Sequence, residues 1–223
     1  MDAIVPAAGL ATRMRGLPKF LLPCDLAYTT LIEQHVTLLL ETCNTIWIPT
    51  RPELVMIIDS LGLPRDRVVL LPMQTENMTQ TVKRVLEITS NPYFHLVMPD
   101  TYFFGEQPYA KLTQKPDVAE LACWRIREDQ KGKLGQVLSE NGRALDLLDK
   151  KIDCDYEHSW GSLTFNRELL HHADDSDPHI GYAVKRAIDA HLNVTTTEME
   201  GKYFDCGTPR EYLTMLQEVI APL

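Results

Sequence analysis

Cysteine is sparse and unpaired in this sequence. The five residues, Cys24, Cys43, Cys123, Cys154 and Cys206, are odd in number, widely spaced and without a C-x-x-C pair, which argues against a disulfide framework and against a zinc site. Reduced thiols in a cytoplasmic protein are the simpler expectation. Basic residues are outnumbered: 22 Lys and Arg stand against 31 Asp and Glu, a formal net charge of -9. With a pI of about 5.2, the chain lacks the basic footprint needed to grip a nucleic-acid backbone, and no nucleic-acid partner is expected. No apolar run approaches the roughly 20 residues of a membrane span, so no membrane partner is expected either. Met1-Asp2-Ala3-Ile4-Val5-Pro6 has neither a basic start nor a long apolar stretch, and no leader is expected there. Internal repeats, Gly/Ser-rich linkers and charged tails are also missing.

What remains is ordinary for a globular chain: 223 residues, 44% hydrophobic and 24% charged. That length suits one domain, residues 1–223, with a half of about 1–115 and a second of about 116–223. In the first half, short apolar runs alternate with helical periodicity. Ala3–Pro6, Thr45–Ile48, Val68–Leu71 and His95–Met98 read as strands. Leu31–Leu40, Pro52–Leu61 and Asn77–Ile88 read as helices, with Asn77 placed as a cap. Such alternation predicts an α/β fold, a Rossmann-like three-layer α/β/α sandwich on a mixed, mostly parallel central sheet. The second half is less regular. Strands are expected at Ala119–Ile126, Gln136–Leu138, Leu145–Leu148 and Trp160–Phe165, and helices at Gly181–Ala190 and Pro209–Val219.

Ligands of such sheets bind at the carboxyl ends of the strands. Two loops there carry chemistry. The first runs from Ala7 to Lys19. Its small residues Ala8 and Gly9, followed by Leu10, let backbone N–H groups approach phosphate oxygens, and Arg13, Arg15 and Lys19 supply three cations. Ala11 and Met14 occupy positions where a dinucleotide fingerprint has glycine, and no Gly-Lys-Ser/Thr follows, so neither that motif nor a Walker A loop is present. The second loop holds Asp100, just past an apolar strand. Asp205, in Phe204-Asp205-Cys206-Gly207-Thr208-Pro209, sits at another expected strand end. Each aspartate alone reads as a cap; together they could hold a Mg²⁺ that bridges triphosphate oxygens.

The ordered set of motifs resembles the sugar-1-phosphate nucleotidyltransferases (NDP-sugar pyrophosphorylases). Gly9-Leu10-Ala11-Thr12-Arg13 with Pro18-Lys19-Phe20-Leu21-Leu22-Pro23 is similar to their signature loop. Met98-Pro99-Asp100 is similar to their metal aspartate, Leu134-Gly135-Gln136-Val137 to a sugar-side glycine segment, and Asp149-Lys150 stands where they carry Glu-Lys-Pro. Trp160–Phe165 and the Asp205 motif complete the series. The resemblance implies transfer of a nucleoside monophosphate from an NTP (dTTP, UTP or CTP) to a sugar 1-phosphate, with Mg²⁺ as cofactor, and is compatible with a homodimer. It assigns Arg13, Lys19 and Lys150 to charge neutralisation, Asp100 and Asp205 to the metal, and Gly135 and Asp149 to the sugar. Ala8, Gly9, Leu10, Gln74 and Thr79 would hold the nucleotide; Gln74, at a turn, is equally readable as a solvent-facing amide.

The departures are Ala11 for a glycine, Asp149 for glutamate, Lys151 for proline and a shortened loop between Arg13 and Lys19. The short loop keeps open a cytidylyltransferase acting on a non-sugar alcohol phosphate or phosphonate. A catalytically silent nucleotide-sugar-binding subunit would be expected to lack a signature cation or a metal aspartate, and all are present. His171–His179 mixes metal-ligand residue types with Asp, Ser and Pro, and reads as a solvated loop. Trp160 reads as a core residue close to the acceptor side, and Cys206 as a buried small hydrophobe.

Overall fold

A computed structural model describes residues 1–9 and 14–220. Leu10 and Arg13, both expected in the phosphate loop, lie outside the described residues.

Successive side chains of a strand point to opposite faces, and the first strand shows how this builds the layers. In β1 (Asp2–Ile4), Ala3 and the following Val5 join one buried cluster, while Ile4 joins another. The first cluster takes Ile32, Val36 and Leu39 of α1 (Leu31–Leu39) and Ile58 of α2 (Val55–Asp59). The second takes Val82, Val85 and Leu86 of α3 (Met78–Ile88) and Ala183, Val184 and Ala187 of α5 (Gly181–Asp189). Helices therefore cover both faces of one central sheet, as the alternation predicts.

The expected helix starts are chemically explicit. Thr30 caps α1 with a reciprocal box: its hydroxyl accepts the Glu33 N–H, and the Glu33 carboxylate accepts the Thr30 N–H. Asn77 caps α3 by accepting the Gln80 N–H at 2.9 Å. The expected helix from Pro52 is split: a 3₁₀ turn at Pro52–Leu54 precedes the five-residue α2.

β2 (Ile46–Thr50), β3 (Val68–Pro72) and β4 (Tyr93–Val97) run parallel with β1 in the order β3-β2-β1-β4. Beyond β4 the sheet turns mixed. β6 (Ala119–Arg125), β7 (Gly135–Glu140), β8 (Arg143–Asp149), β9 (His158–Asn166) and β10 (Val194–Glu198) extend it as β9-β6-β10-β8-β7. β9 lies antiparallel to both β4 and β6, joining the two halves, and β10 is parallel to β6.

A separate two-stranded ribbon is absent from the sequence expectations. β5 (Thr101–Gly105) pairs antiparallel with β11 (Gly201–Asp205), with Thr101 opposite Asp205. The short α4 (Pro108–Lys111) follows β5, and α6 (Pro209–Ile220) follows β11. A third cluster of Cys24, Leu31, Phe204, Cys206 and Met215 seats α6 against the start of α1. No described helix is long and apolar enough to cross a membrane.

Candidate active site

The first loop leaves the sheet under close control. The Ala7 N–H donates to the Pro49 carbonyl at 2.8 Å, and the Thr50 hydroxyl donates to the Ala7 carbonyl at 3.3 Å. Ala8 is half-buried and Gly9 exposed. Ala7, Gly9, Pro18, Lys19 and Asp100 line a cavity of about 210 Å³. Pro18 leads into a 3₁₀ turn at Lys19–Leu21, which anchors Phe20 in the core and leaves the Lys19 amine at the cavity. That amine lies 2.5 Å from Asp100 Oδ2, with the two side chains only 13% and 17% exposed. The ion pair therefore sits in a partly desolvated setting, where charge interactions exceed their strength in water.

The β5–β11 ribbon explains why two aspartates more than 100 residues apart share one site. Asp100 ends the turn after β4, immediately before Thr101, and Thr101 is the register partner of Asp205. The Cys206 N–H donates to the Asp100 carbonyl at 2.9 Å, and Asp205 Oδ1 accepts the Gly207 N–H at 2.9 Å. From behind, the buried His35 ring bonds the Thr101 carbonyl through Nε2 at 2.9 Å. The Arg127 guanidinium and the Gln130 amide both donate to the Tyr203 carbonyl at 2.8 Å, and Arg127 lies over the Phe204 ring, 4.5 Å from its centroid. Those contacts hold β11 two residues before Asp205.

Asp100 and Asp205 line a second cavity of about 340 Å³, together with Gly135, Asp149, Lys150 and Trp160. Met98 and Asp100 border both cavities, so the two adjoin at that aspartate. Lys150 follows β8 in the left-handed region, at φ 51°, with its N–H donating to the Leu134 carbonyl at 3.1 Å. A non-glycine residue there is uncommon and marks a constrained turn. Lys151, which stands for the proline of the resembling motif, uses the N–H that a proline would lack: it donates to Gln136 Oε1 at 2.9 Å, and Gln136 Nε2 donates back to the Lys151 carbonyl at 3.0 Å. Gly135 must be glycine for a steric reason. A Cβ there would stand 2.3 Å from Trp160 Nε1.

Lys19, Asp100, Gly135, Asp149, Lys150 and Asp205 thus line this pair of cavities. Two other expected residues sit elsewhere. Gln74 is exposed in the loop between β3 and α3 and lines neither cavity. Thr79 is fully buried in the first turn of α3, its hydroxyl without a partner among the described residues, while its neighbour Met78 lines the second cavity.

Three further residues line the larger cavity. Trp160 is a cavity wall as well as a packing residue, and Lys133 adds a second cation beside Lys150. His179 is the larger correction to the solvated-loop reading of His171–His179: its Nε2 stands 3.3 Å from Asp149 Oδ2 and its ring lines the cavity. The imidazole beside it holds the Asp149 carboxyl below its ordinary range. The available signal was Gly181, two residues on, where a Cβ would come within 2.8 Å of the ring. Burial pushes the Cys206 thiol far up, which fits a small hydrophobe and excludes a ready nucleophile.

Among the described residues, no three His, Cys, Asp or Glu side chains gather as a metal cluster. Asp100 and Asp205 form a two-carboxylate set at one cavity, the donor set suited to an ion that draws its other ligands from substrate phosphates and water, as Mg²⁺ does.

Comparison with known proteins places this geometry. The family model of the MobA-like NTP transferase domain matches residues 3–192. No curated protein matches the chain. Among solved structures, a UDP-glucose pyrophosphorylase complexed with UDP-glucose aligns with TM-score 0.81 at 17% identity, over 100% of this chain and 99% of that one. A Bacillus anthracis protein assigned as a glucose-1-phosphate thymidylyltransferase, bound to sucrose, aligns with TM-score 0.80 at 16% identity, over 98% and 95%. The inositol-1-phosphate CTP transferase from T. maritima aligns with TM-score 0.77 at 15% identity, over 98% and 95%. At such identities the likeness is one of fold. The family match spans most of the chain and includes the first loop, Asp100 and the Asp149-Lys150 turn; the chain belongs to the MobA-like NTP transferase family and is a nucleotidyltransferase.

Proposed function

We propose that the protein transfers a nucleoside monophosphate from an NTP to a sugar 1-phosphate, releasing pyrophosphate and an NDP-sugar, with Mg²⁺ assistance. The observation that carries this reading is the adjoining pair of cavities that meet at Asp100, one built from the small-residue loop and Lys19, the other from Asp149, Lys150 and Asp205. A triphosphate in the first and a phosphate acceptor in the second would bring their reacting groups together beside the two carboxylates. In this reading one domain works through its two halves. The free, mostly buried cysteines suit a reducing, cytoplasmic setting.

The chemistry asks little of proton transfer. The second pKa of a phosphomonoester is about 6, so the acceptor is largely dianionic at neutral pH and its oxygen attacks without a general base. A new bond forms between that oxygen and the α-phosphorus; the bond from the α-phosphorus to the bridging oxygen breaks, and pyrophosphate leaves with the electron pair. Catalysis is then positioning and charge neutralisation. Mg²⁺, when bound at Asp100 and Asp205, supplies neutralisation of phosphate charge. Lys19 exchanges Asp100 for triphosphate oxygens and stays with the departing pyrophosphate; Arg13, assigned from its loop sequence, also holds the triphosphate and the departing pyrophosphate. Lys150 binds the acceptor phosphate. Gly135 and Asp149 face the acceptor ring, and Ala8, Gly9 and Leu10 approach the triphosphate through their backbone.

The shortened first loop favours one alternative, a CTP-dependent enzyme for a non-sugar alcohol phosphate. The deciding experiment is pyrophosphate release with Mg²⁺, testing dTTP, UTP, CTP, GTP and ATP against glucose 1-phosphate, other sugar 1-phosphates, myo-inositol 1-phosphate and open-chain polyol phosphates. Release with one NTP and a sugar 1-phosphate is the expected result. Release confined to CTP and an open-chain phosphate would replace the sugar reading with the alternative.

A further inference from the structure

One wall of the larger cavity is built with more care than phosphate transfer alone requires. His179 Nδ1 accepts the Gly181 N–H at 3.2 Å. A neutral imidazole that accepts at Nδ1 carries its proton on Nε2, and Nε2 is the atom 3.3 Å from Asp149 Oδ2. Nε2 thus presents a donor towards the carboxylate. Its seat is shaped by missing side chains: a Cβ at Gly181 would fall 2.8 Å from His179 Nδ1 and 3.1 Å from Trp160 Cζ2.

The segment leading to His179 is tied down on two sides. Asp177 is buried, pairs with Arg186 of α5 and accepts the Asp174 N–H. The Pro178 carbonyl accepts the Met78 N–H at 3.2 Å, and the Asn77 amide donates to the Asp175 carbonyl at 2.7 Å, both from the start of α3. A stretch whose composition suits free solvent is instead fastened to two helices, and what it delivers to the cavity is one imidazole beside one carboxylate.

We propose that His179 is a specificity-determining positioning residue: it holds the Asp149 carboxylate in one orientation through Oδ2, leaving Oδ1 to accept hydroxyl groups of a ring polyol phosphate whose C–H face lies on the Trp160 indole. A carboxylate held at one oxygen selects a hydroxyl at a defined ring position, whereas a freely rotating one would accept several. This inference rests on the sugar-phosphate reading and adds a residue that reading does not use.

The test is steady-state kinetics of pyrophosphate release by wild type, His179→Leu, His179→Gln, Asp149→Asn and the His179→Leu/Asp149→Asn double variant, with glucose 1-phosphate and myo-inositol 1-phosphate as acceptors and the melting temperature of each protein recorded. Losing one hydrogen bond to a charged group predicts about a tenfold rise in acceptor KM for His179→Leu, with NTP KM within about twofold. His179→Gln, which keeps an N–H donor, restores acceptor KM to within about threefold of wild type. Because both residues act through one contact, the double variant is no worse than Asp149→Asn. The discrimination between the two acceptors also narrows in His179→Leu. Unchanged acceptor KM in a folded His179→Leu overturns the proposal, as does a parallel rise in both KM values with a lowered melting temperature. Should His179→Leu fail to fold, wild-type acceptor KM in Asp149→Asn overturns it equally. If wild type releases pyrophosphate with no ring polyol phosphate, the underlying functional reading fails first and the inference falls with it.

Discussion

Two histidines buried behind the site make the fold acid-sensitive in a defined window. His35 and His95 are fully buried, and burial holds their imidazoles down to about 4 and about 3, from an ordinary value of 6.5. His35 is bonded to the Tyr109 hydroxyl and the Thr101 carbonyl, and His95 Nε2 lies 2.6 Å from the Ser162 hydroxyl. A base whose folded value is depressed stabilises the protein above its unfolded value. That stability is lost as pH falls, because the unfolded chain binds a proton that the folded chain refuses. At pH 5 an unfolded imidazole is charged and both folded rings remain neutral. The gap of about 1.5 pH units below 6.5 is worth about 2 kcal/mol per ring at ~1.36 kcal/mol per unit, or about 4 kcal/mol for the pair. Folded domains are stable by only about 5–15 kcal/mol, so this is a large share. Urea unfolding followed by tryptophan fluorescence at pH 7.5 and pH 5.0 measures it. His95→Gln, which removes one titrating ring, is expected to halve the loss even if it lowers stability at both values. Equal stability of the wild-type protein at the two pH values would refute the reasoning, since no residual charge effect of the right size would then remain.

Other outcomes follow from the same geometry. Gly135→Ala places a Cβ 2.3 Å from Trp160 Nε1; overpacking of this kind costs about 1–3 kcal/mol, and the displaced indole is expected to raise acceptor KM more than NTP KM in the pyrophosphate assay. Asp100→Asn and Asp205→Asn each are expected to lower kcat about 100-fold or more and to raise the Mg²⁺ concentration for half-maximal rate, since the lost charge stabilisation is worth several kcal/mol. Thr30→Ala removes the α1 capping box at a residue that lines neither cavity and is expected to cost about 1 kcal/mol in urea unfolding while leaving kcat unchanged.

The parallel half of the molecule was legible because its signals are local. Each apolar run from Ala3 to Val97 carries its own period, and Asn77 announces the start of α3 by itself. The β5–β11 ribbon was not legible for the opposite reason. Thr101–Gly105 and Gly201–Asp205 are five-residue strands that, among the described residues, pair with each other, about 100 residues apart, and no window of sequence contains both. The aspartates could be named from their positions after apolar strands, yet the pairing that sets them side by side could not. His179 was hidden by composition: Asp174, Asp175, Ser176, Asp177 and Pro178 describe a solvated turn, and only the Arg186 and α3 contacts convert that turn into a clamp. Gln74, a polar residue near a strand end, is exposed and lines neither cavity. Thr79 is likewise in the right helix, but its backbone turns it inward.

In the proposed function the two adjoining cavities bind an NTP and a phosphate acceptor and join them beside Asp100 and Asp205. Pyrophosphate release by wild type and by Asp100→Asn, with each of five NTPs and a panel of sugar 1-phosphates in the presence of Mg²⁺, tests it most directly. Release is expected to require both one NTP and one sugar 1-phosphate and to fall about 100-fold or more in the Asp100 variant. Release without an acceptor, or undiminished release by Asp100→Asn, would contradict it.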